Sequence, residues 1–150
     1  MTVAKQITAI LNSIIDSVKG VLPFDLTIYK PYLFQPPFTQ YSIGVLIGMT
    51  GNVRGRLIIN GDPAIFSSIG EGMFGMKVEG EMLKSFAGEL GNMIAGTLST
   101  SFSNYEIDMD ITPPTVLVGK TKIYGFDKTF CLPVTIQNIG TMTVLLMLEQ

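Results

Sequence analysis

Residues 80–103 carry one sustained helical pattern, and no other stretch constrains the fold as much. At 100° per residue, Leu83, Phe86, Ala87, Leu90, Ile94 and Leu98 gather on one side. Ser85, Glu89 and Asn92 fall within roughly 60° of one another on the opposite side. A helix with one apolar face needs a second layer to bury it. The rest of the chain has to supply that layer.

It supplies strands. Residues 41–49 and 53–60 read as a hairpin, with Ile43, Val45, Ile47 and Met49 alternating with smaller residues and Thr50-Gly51-Asn52 as the turn. Val53, Leu57 and Ile59 define its apolar face. Arg54 and Arg56 share the other, read as a solvated face rather than an anion site. A second hairpin, 130–138 with 141–149, turns at Asn138-Ile139-Gly140. Shorter strand-like stretches fall at 105–111 and 114–118, parted by Thr112-Pro113-Pro114. Residues 24–34 read as an edge strand that bends into a loop at Pro31, Pro36 and Pro37. Tyr29, Tyr32, Phe34, Phe38 and Tyr41 cluster there, either as core and edge packing or as a dimer contact.

Two more helices complete the pattern. Val3, Ile7, Ile10, Leu11, Ile14, Ile15 and Val18 predict an amphipathic helix over 3–19, with Lys5, Thr8, Asn12, Asp16 and Lys19 outward and Gly20 as its stop. Asp62 is placed to cap a helix over about 63–74, with Pro63 in its first turn and Gly75 at its end. The order is helix, strands, helix, long helix, strands. That predicts an α+β fold, one domain over 1–150, with helices packed on a mainly antiparallel sheet. Each half runs helix, strand, crossing segment, hairpin, which hints at an internal duplication. Extended βαβ alternation and a Gly-rich phosphate loop opening a helix are both missing, so a dinucleotide-binding reading fails.

Composition narrows the chemistry. Apolar residues make up 47% and charged residues 15%, too apolar for disorder and consistent with a buried subunit interface. The net charge of −2 without a basic run argues against a nucleic-acid partner. There is no histidine and one cysteine, Cys131, read as a buried strand thiol. A Ser-His-Asp triad, a Cys-His dyad, a histidine-liganded metal site and an intrachain disulfide are thereby excluded. The longest apolar run, Val144 to Leu148, is far short of the roughly 20 residues that span a bilayer. Lys5, Gln6 and Asp16 interrupt any signal-peptide core. No membrane partner and a cytoplasmic location are therefore expected.

The chemistry that remains is on the long helix. Gly88, Gly91 and Gly96 lie inside it, each costing about 1 kcal/mol relative to alanine. With Gly88, Gly96, Ser99 and Ser103 placed beside Glu89 and Asn92, the expectation is a bare surface from which a carboxylate and an amide protrude. Another macromolecule's backbone could approach it closely. Polar residues on an outer helix face are also the norm, and Glu-x-x-Asn alone is a weak pattern.

The wider pattern is more specific. Ser85, three residues, Glu89, two residues, Asn92, then Pro113-Pro114 about twenty residues on resembles the signature of the CheC/CheX/FliY group of bacterial chemotaxis phosphatases. CheX is the nearest in pattern. The resemblance extends to Ile47-Gly48-Met49-Thr50-Gly51 with Gly55-Arg56, to the helix segment from Gly88 to Gly96, and to Asp110-Ile111-Thr112-Pro113-Pro114. It spans roughly residues 3–149. The first helix has Asn12 with Ala9 three residues before it and no glutamate, so one site is expected rather than the two that CheC-type proteins can carry.

The resemblance implies a CheC-like fold with pseudo-twofold halves, and hydrolysis of the aspartyl phosphate of a CheY-type response regulator. In that reading Asn92 orients the attacking water, Glu89 pairs with the regulator's active-site lysine, and Ser85 makes a supporting contact. It implies no cofactor of the chain's own, with Mg2+ held by the regulator, and a homodimer formed by joining sheets. The alternative is a non-catalytic module on the same scaffold that binds a signalling or flagellar-switch partner. An adaptor reporting a bound nucleotide ranks last, for want of a phosphate cradle.

Overall fold

Two long hairpins meet edge to edge, and the chain reaches each of them by the same route. In the computed structural model, which describes residues 3–35, 37–40, 42–124 and 128–149, helix α1 (Val3–Val21) leads through β1 (Leu26–Ile28), β2 (Tyr32–Phe34) and β3 (Phe38–Gln40). The hairpin β4 (Ile43–Gly51) and β5 (Gly55–Gly61) follows, and α2 (Pro63–Phe74) links it to α3 (Glu81–Ser103). The order then repeats as β6 (Met109–Ile111), β7 (Thr115–Val118), β8 (Thr121–Ile123) and the hairpin β9 (Lys128–Ile136) with β10 (Gly140–Leu148). The pairs β1/β6, β2/β7 and β3/β8 each start 83 residues apart, at 26 and 109, 32 and 115, and 38 and 121. The duplication hinted at by element order is thus present in the fold.

The halves are interlocked. The main sheet runs β1-β9-β10-β5-β4-β6, with β2 also paired to β9 and β7 also paired to β4. Every pairing is antiparallel. Each half therefore lends its short strands to the other half's hairpin. The seam between halves is β5 against β10, from Thr143 opposite Asn60 to Leu148 opposite Gly55. At Gly55 the fit is closest: an added Cβ would run into the Met147 carbonyl. Helices cover one face of the sheet. Ile10, Ile14 and Val18 of α1, Phe66 and Ile69 of α2, and Leu90, Ile94, Leu98 and Phe102 of α3 bury against Val45, Ile47, Leu57, Ile59, Val134 and Val144.

The opposite face carries a second, smaller core that the sequence did not predict. Ile58, Cys131, Leu145 and Met147 are buried there with Phe38, Leu46 and Ile123. The cover is the ribbon β3–β8, Phe38 opposite Ile123. Cys131 is buried in β9 as expected. Burial pushes its thiol pKa up, while a hydrogen bond with Tyr32 pulls the other way. A thiol raised in the folded state adds stability that is intact below its unfolded value, about 8.5, and is lost as pH rises through the folded value. Thermal melts should therefore show a lower Tm in the alkaline range, and Cys131→Ala should flatten that part of the slope.

Several expectations are corrected. The 24–34 stretch is two strands, because Pro31 breaks it; in the gap the Tyr29 amide still reaches the Pro133 carbonyl at 3.1 Å. Similarly, 105–111 and 114–118 shrink to β6 and β7. Helix α1 runs through Gly20 to Val21 and stops before Pro23. The Asp62 side chain makes no cap bond; it accepts from the Ser42 hydroxyl at 2.9 Å, tying α2's start to β4. Pro63 does open α2, and Gly75 closes it in the left-handed region at φ 79. The first turn lies later than expected, since Met49 already pairs with Gly55. In the aromatic cluster Tyr29 and Tyr32 are exposed, and Phe34 meets Phe38 edge-on at 6.0 Å. Pro36, Tyr41 and the side chain of Val3 lie outside the described residues.

Candidate functional site

Helix α3 is pressed into the sheet by its glycines. A Cβ on Gly91 would stand 2.5 Å from Val45 Cγ1 and 3.1 Å from its Cβ, so the helix backbone lies directly on β4. Gly88 is buried under β7, where a Cβ would stand 3.3 Å from Val116 Cγ2. Only Gly96 opens onto free space. Of the expected bare surface, Gly96 and Ser103 are exposed and Ser99 is half-buried, whereas Gly88 is buried and, with Gly91, sets the depth of the helix. On its far side α3 packs against α1. There Gly20 faces Thr97, continuing a stripe of small residues from the buried Ser13 and Ser17.

This seating leaves Ser85, Glu89 and Asn92 on the exposed side, while Phe86, Ala87, Leu90 and Ile94 are buried on the opposite one. The three form one face, as the spacing predicted. None of their side chains has a hydrogen bond or ion pair with the described residues. An exposed carboxylate and amide held on a rigid helix, with all their bonding capacity unspent, can orient water or pair with a cation brought by another molecule.

The Pro113-Pro114 turn flanks this face. Gly88 packs beneath Val116 in β7, and the Ser99 hydroxyl reaches the Met109 carbonyl of β6 at 3.5 Å. The turn joining β6 to β7 thus runs alongside Asn92, which lies between those two helix positions. Thr112 pins it: the Gly48 amide donates to Thr112 Oγ1 at 2.8 Å, and the Thr112 amide donates to the Gly48 carbonyl at 2.9 Å. Glycine at 48 makes room for that side chain, since a Cβ there would stand 3.0 Å from Thr112 Cγ2. A glycine inside a strand signals such a close approach, but the sequence does not say to what. Gly48→Val should displace Thr112 and cost about 1–3 kcal/mol of overpacking. Chemical denaturation of the variant measures it, and amide exchange at Gly48 and Thr112 should speed up.

Arg54 and Arg56 are exposed, as expected, on the far side of the hairpin from the buried Val53, Leu57 and Ile59. Among the described residues there is no cluster of three His, Cys, Asp or Glu side chains that could hold a metal ion. No helix is long and apolar enough to cross a membrane.

Comparison with known proteins places the fold among solved relatives. The family described as "Chemotaxis phosphatase CheX" matches residues 43–132. The CheY-P phosphatase CheX of Thermotoga maritima is 31% identical over 137 residues, covering 89% of this chain and 88% of that protein. Among solved structures, a CheC-like superfamily protein from Shewanella sp. PV-4 superposes with a TM-score of 0.80 at 26% identity over the whole of both chains. The Borrelia burgdorferi CheX solved in complex with CheY, BeF3 and Mg2+ superposes with a TM-score of 0.78 at 21% identity, covering 96% of this chain and 97% of that one.

Proposed function

The chain belongs to the chemotaxis phosphatase CheX family, and from that premise we propose that it hydrolyses the aspartyl phosphate of a CheY-type response regulator through the exposed face of α3. The observation that carries the reading is that Glu89 and Asn92 project, without a partner among the described residues, from a helix seated on the sheet. A cavity of about 300 Å3 lies elsewhere, near Ile7, Val53 and Leu148. A phosphoryl group carried on another protein is met by a protruding face, so we place the chemistry on α3 and not in that cavity.

Phosphoryl transfer asks for positioning of an in-line nucleophile and for charge stabilisation. Asn92 supplies the positioning. Its amide oxygen accepts a proton-bearing edge of the water and its NH2 group donates, as a glutamine side chain does in some GTPases. The water oxygen bonds to phosphorus as the bond to the regulator's carboxylate oxygen breaks. Both of the water's protons leave with the phosphate as dihydrogen phosphate, and the aspartate carboxylate is restored. A neutral amide serves here because a carboxylate would repel the phosphoryl oxygens. Glu89 therefore acts on something else: its carboxylate pairs with the regulator's lysine and docks the helix. Ser85, one turn before Glu89, makes a supporting contact. Mg2+ belongs to the regulator, where it offsets charge on the phosphoryl oxygens.

The protein acts in the cytoplasm, where such regulators work. It assembles as a homodimer by joining sheets, for which the edge at β2, with Tyr32 and Leu33 exposed, offers one surface. The test of function is decay of a phosphorylated CheY-type regulator in Mg2+, with and without the chain. Glu89→Gln, which keeps size and removes charge, is expected to weaken binding of the phosphorylated regulator at least tenfold. Unchanged binding would remove Glu89 from the docking role.

A further inference from the structure

The exposed side of α3 is wider than its three polar side chains. Met82, Glu89 and Met93 fall within roughly 40° of one another on the helix, and Ser85, Asn92 and Gly96 form a parallel row beside them. Met82 is 61% exposed and Met93 37%. The methionine row continues beyond the helix. Phe86, one turn from Met82, packs edge-on against Phe74 at the end of α2, with ring centroids 5.8 Å apart. Phe74 is itself 61% exposed, and Met76 beyond the Gly75 turn is 60% exposed.

Single exposed apolar residues are ordinary. These are different in their placement: Met82 lies one turn from Phe86, which packs against Phe74, and Glu89 stands between Met82 and Met93 along the same exposed side of the helix. A stable protein–protein contact covers about 800 Å2 on each partner, far more than a serine, a glutamate and an asparagine present. Its energy is concentrated in a few apolar anchors, and methionine adapts well to a partner's shape.

We propose that Phe74, Met76, Met82 and Met93 form the apolar part of the surface on which the phosphorylated regulator docks. They set how tightly it binds, while Asn92 sets how fast its phosphoryl group leaves. This rests on the functional reading above and adds to it the residues that select the partner.

The experiment uses the full chain and a panel of CheY-type regulators loaded with Mg2+ and beryllium trifluoride, with the affinity measured by titration. Met76→Ser and Met82→Ser are read separately, because neither side chain belongs to the core. Circular dichroism melts confirm that each variant is folded. The expected result is a Kd raised at least tenfold in Met82→Ser and several-fold in Met76→Ser. In turnover assays KM should rise in parallel, with kcat within twofold of wild type. Affinities unchanged within twofold in both variants would overturn the docking surface while leaving the phosphatase reading intact. Wild type that binds without hydrolysing would overturn the phosphatase reading, and the same titrations would still decide the surface. Wild type that binds no regulator in the panel would overturn both.

Discussion

Asn92→Ala is expected to lower kcat for regulator dephosphorylation by about 10²–10³, the scale of removing one preorganised polar group from a reacting centre. The affinity for the phosphorylated regulator should stay within a few-fold of wild type. Because Asn92 is exposed and has no partner among the described residues, its loss should change stability by no more than about 0.5 kcal/mol. A defect confined to kcat identifies an interaction made in the transition state and not in the ground state. Rapid-mixing measurement of phosphorylated-regulator decay at saturating chain checks it. A raised KM with unchanged kcat would instead make Asn92 a docking residue. Asn92→Asp, nearly the same shape, should be as inactive as alanine, because its charge opposes the phosphoryl oxygens.

Gly91→Ala and Gly96→Ala, five residues apart on one helix, are expected to act with opposite sign. Gly96 has nothing within 4 Å of an added Cβ, so alanine there should gain about 0.5–1 kcal/mol of helix propensity. Gly91 receives the same gain, but its Cβ would stand 2.5 Å from Val45 Cγ1. Val45 is fully buried in β4 and, being β-branched, cannot rotate away cheaply. Overpacking of this kind costs about 1–3 kcal/mol, and Gly91→Val should cost more. Denaturant midpoints give the comparison directly. The consequence reaches the site, since lifting α3 off β4 moves Glu89 and Asn92 with it. Gly91→Ala should therefore reduce phosphatase activity as well as stability, whereas Gly96→Ala should preserve the fold. Equal stabilisation by both alanines would contradict the close seating of α3.

What could be read in advance was whatever leaves a periodic trace. The apolar faces of α1 and α3, the two hairpins and the Ser85–Glu89–Asn92 face all follow from spacing and are all present, with the turn of the first hairpin shifted along the chain. The ribbon β3–β8 was invisible because strands of three residues carry no usable period. The exchange of β1 and β2 onto β9, and of β6 and β7 onto β4, joins residues about a hundred and about sixty-five positions apart. No local pattern encodes it. The glycines show the same limit. Their cost in a helix marks them as purposeful, but whether the purpose is an open surface, as at Gly96, or contact with a neighbouring strand, as at Gly88 and Gly91, depends on what the fold brings alongside. Asp62 had the right type and place for a cap, yet Ser42, opposite it at the open end of the β4–β5 hairpin, took its carboxylate. The exposed methionines could have been noticed on the helical wheel.

The most direct measurement is release of inorganic phosphate from a regulator kept phosphorylated by a small-molecule donor in Mg2+, with the chain present at a small fraction of the regulator. The account predicts a steady rate proportional to chain concentration, many turnovers per chain, and a return to the regulator's own decay with Asn92→Ala. A chain that binds the phosphorylated regulator yet leaves its decay unchanged, or slows it, would contradict the account and leave a scaffold that reads phosphorylation without erasing it.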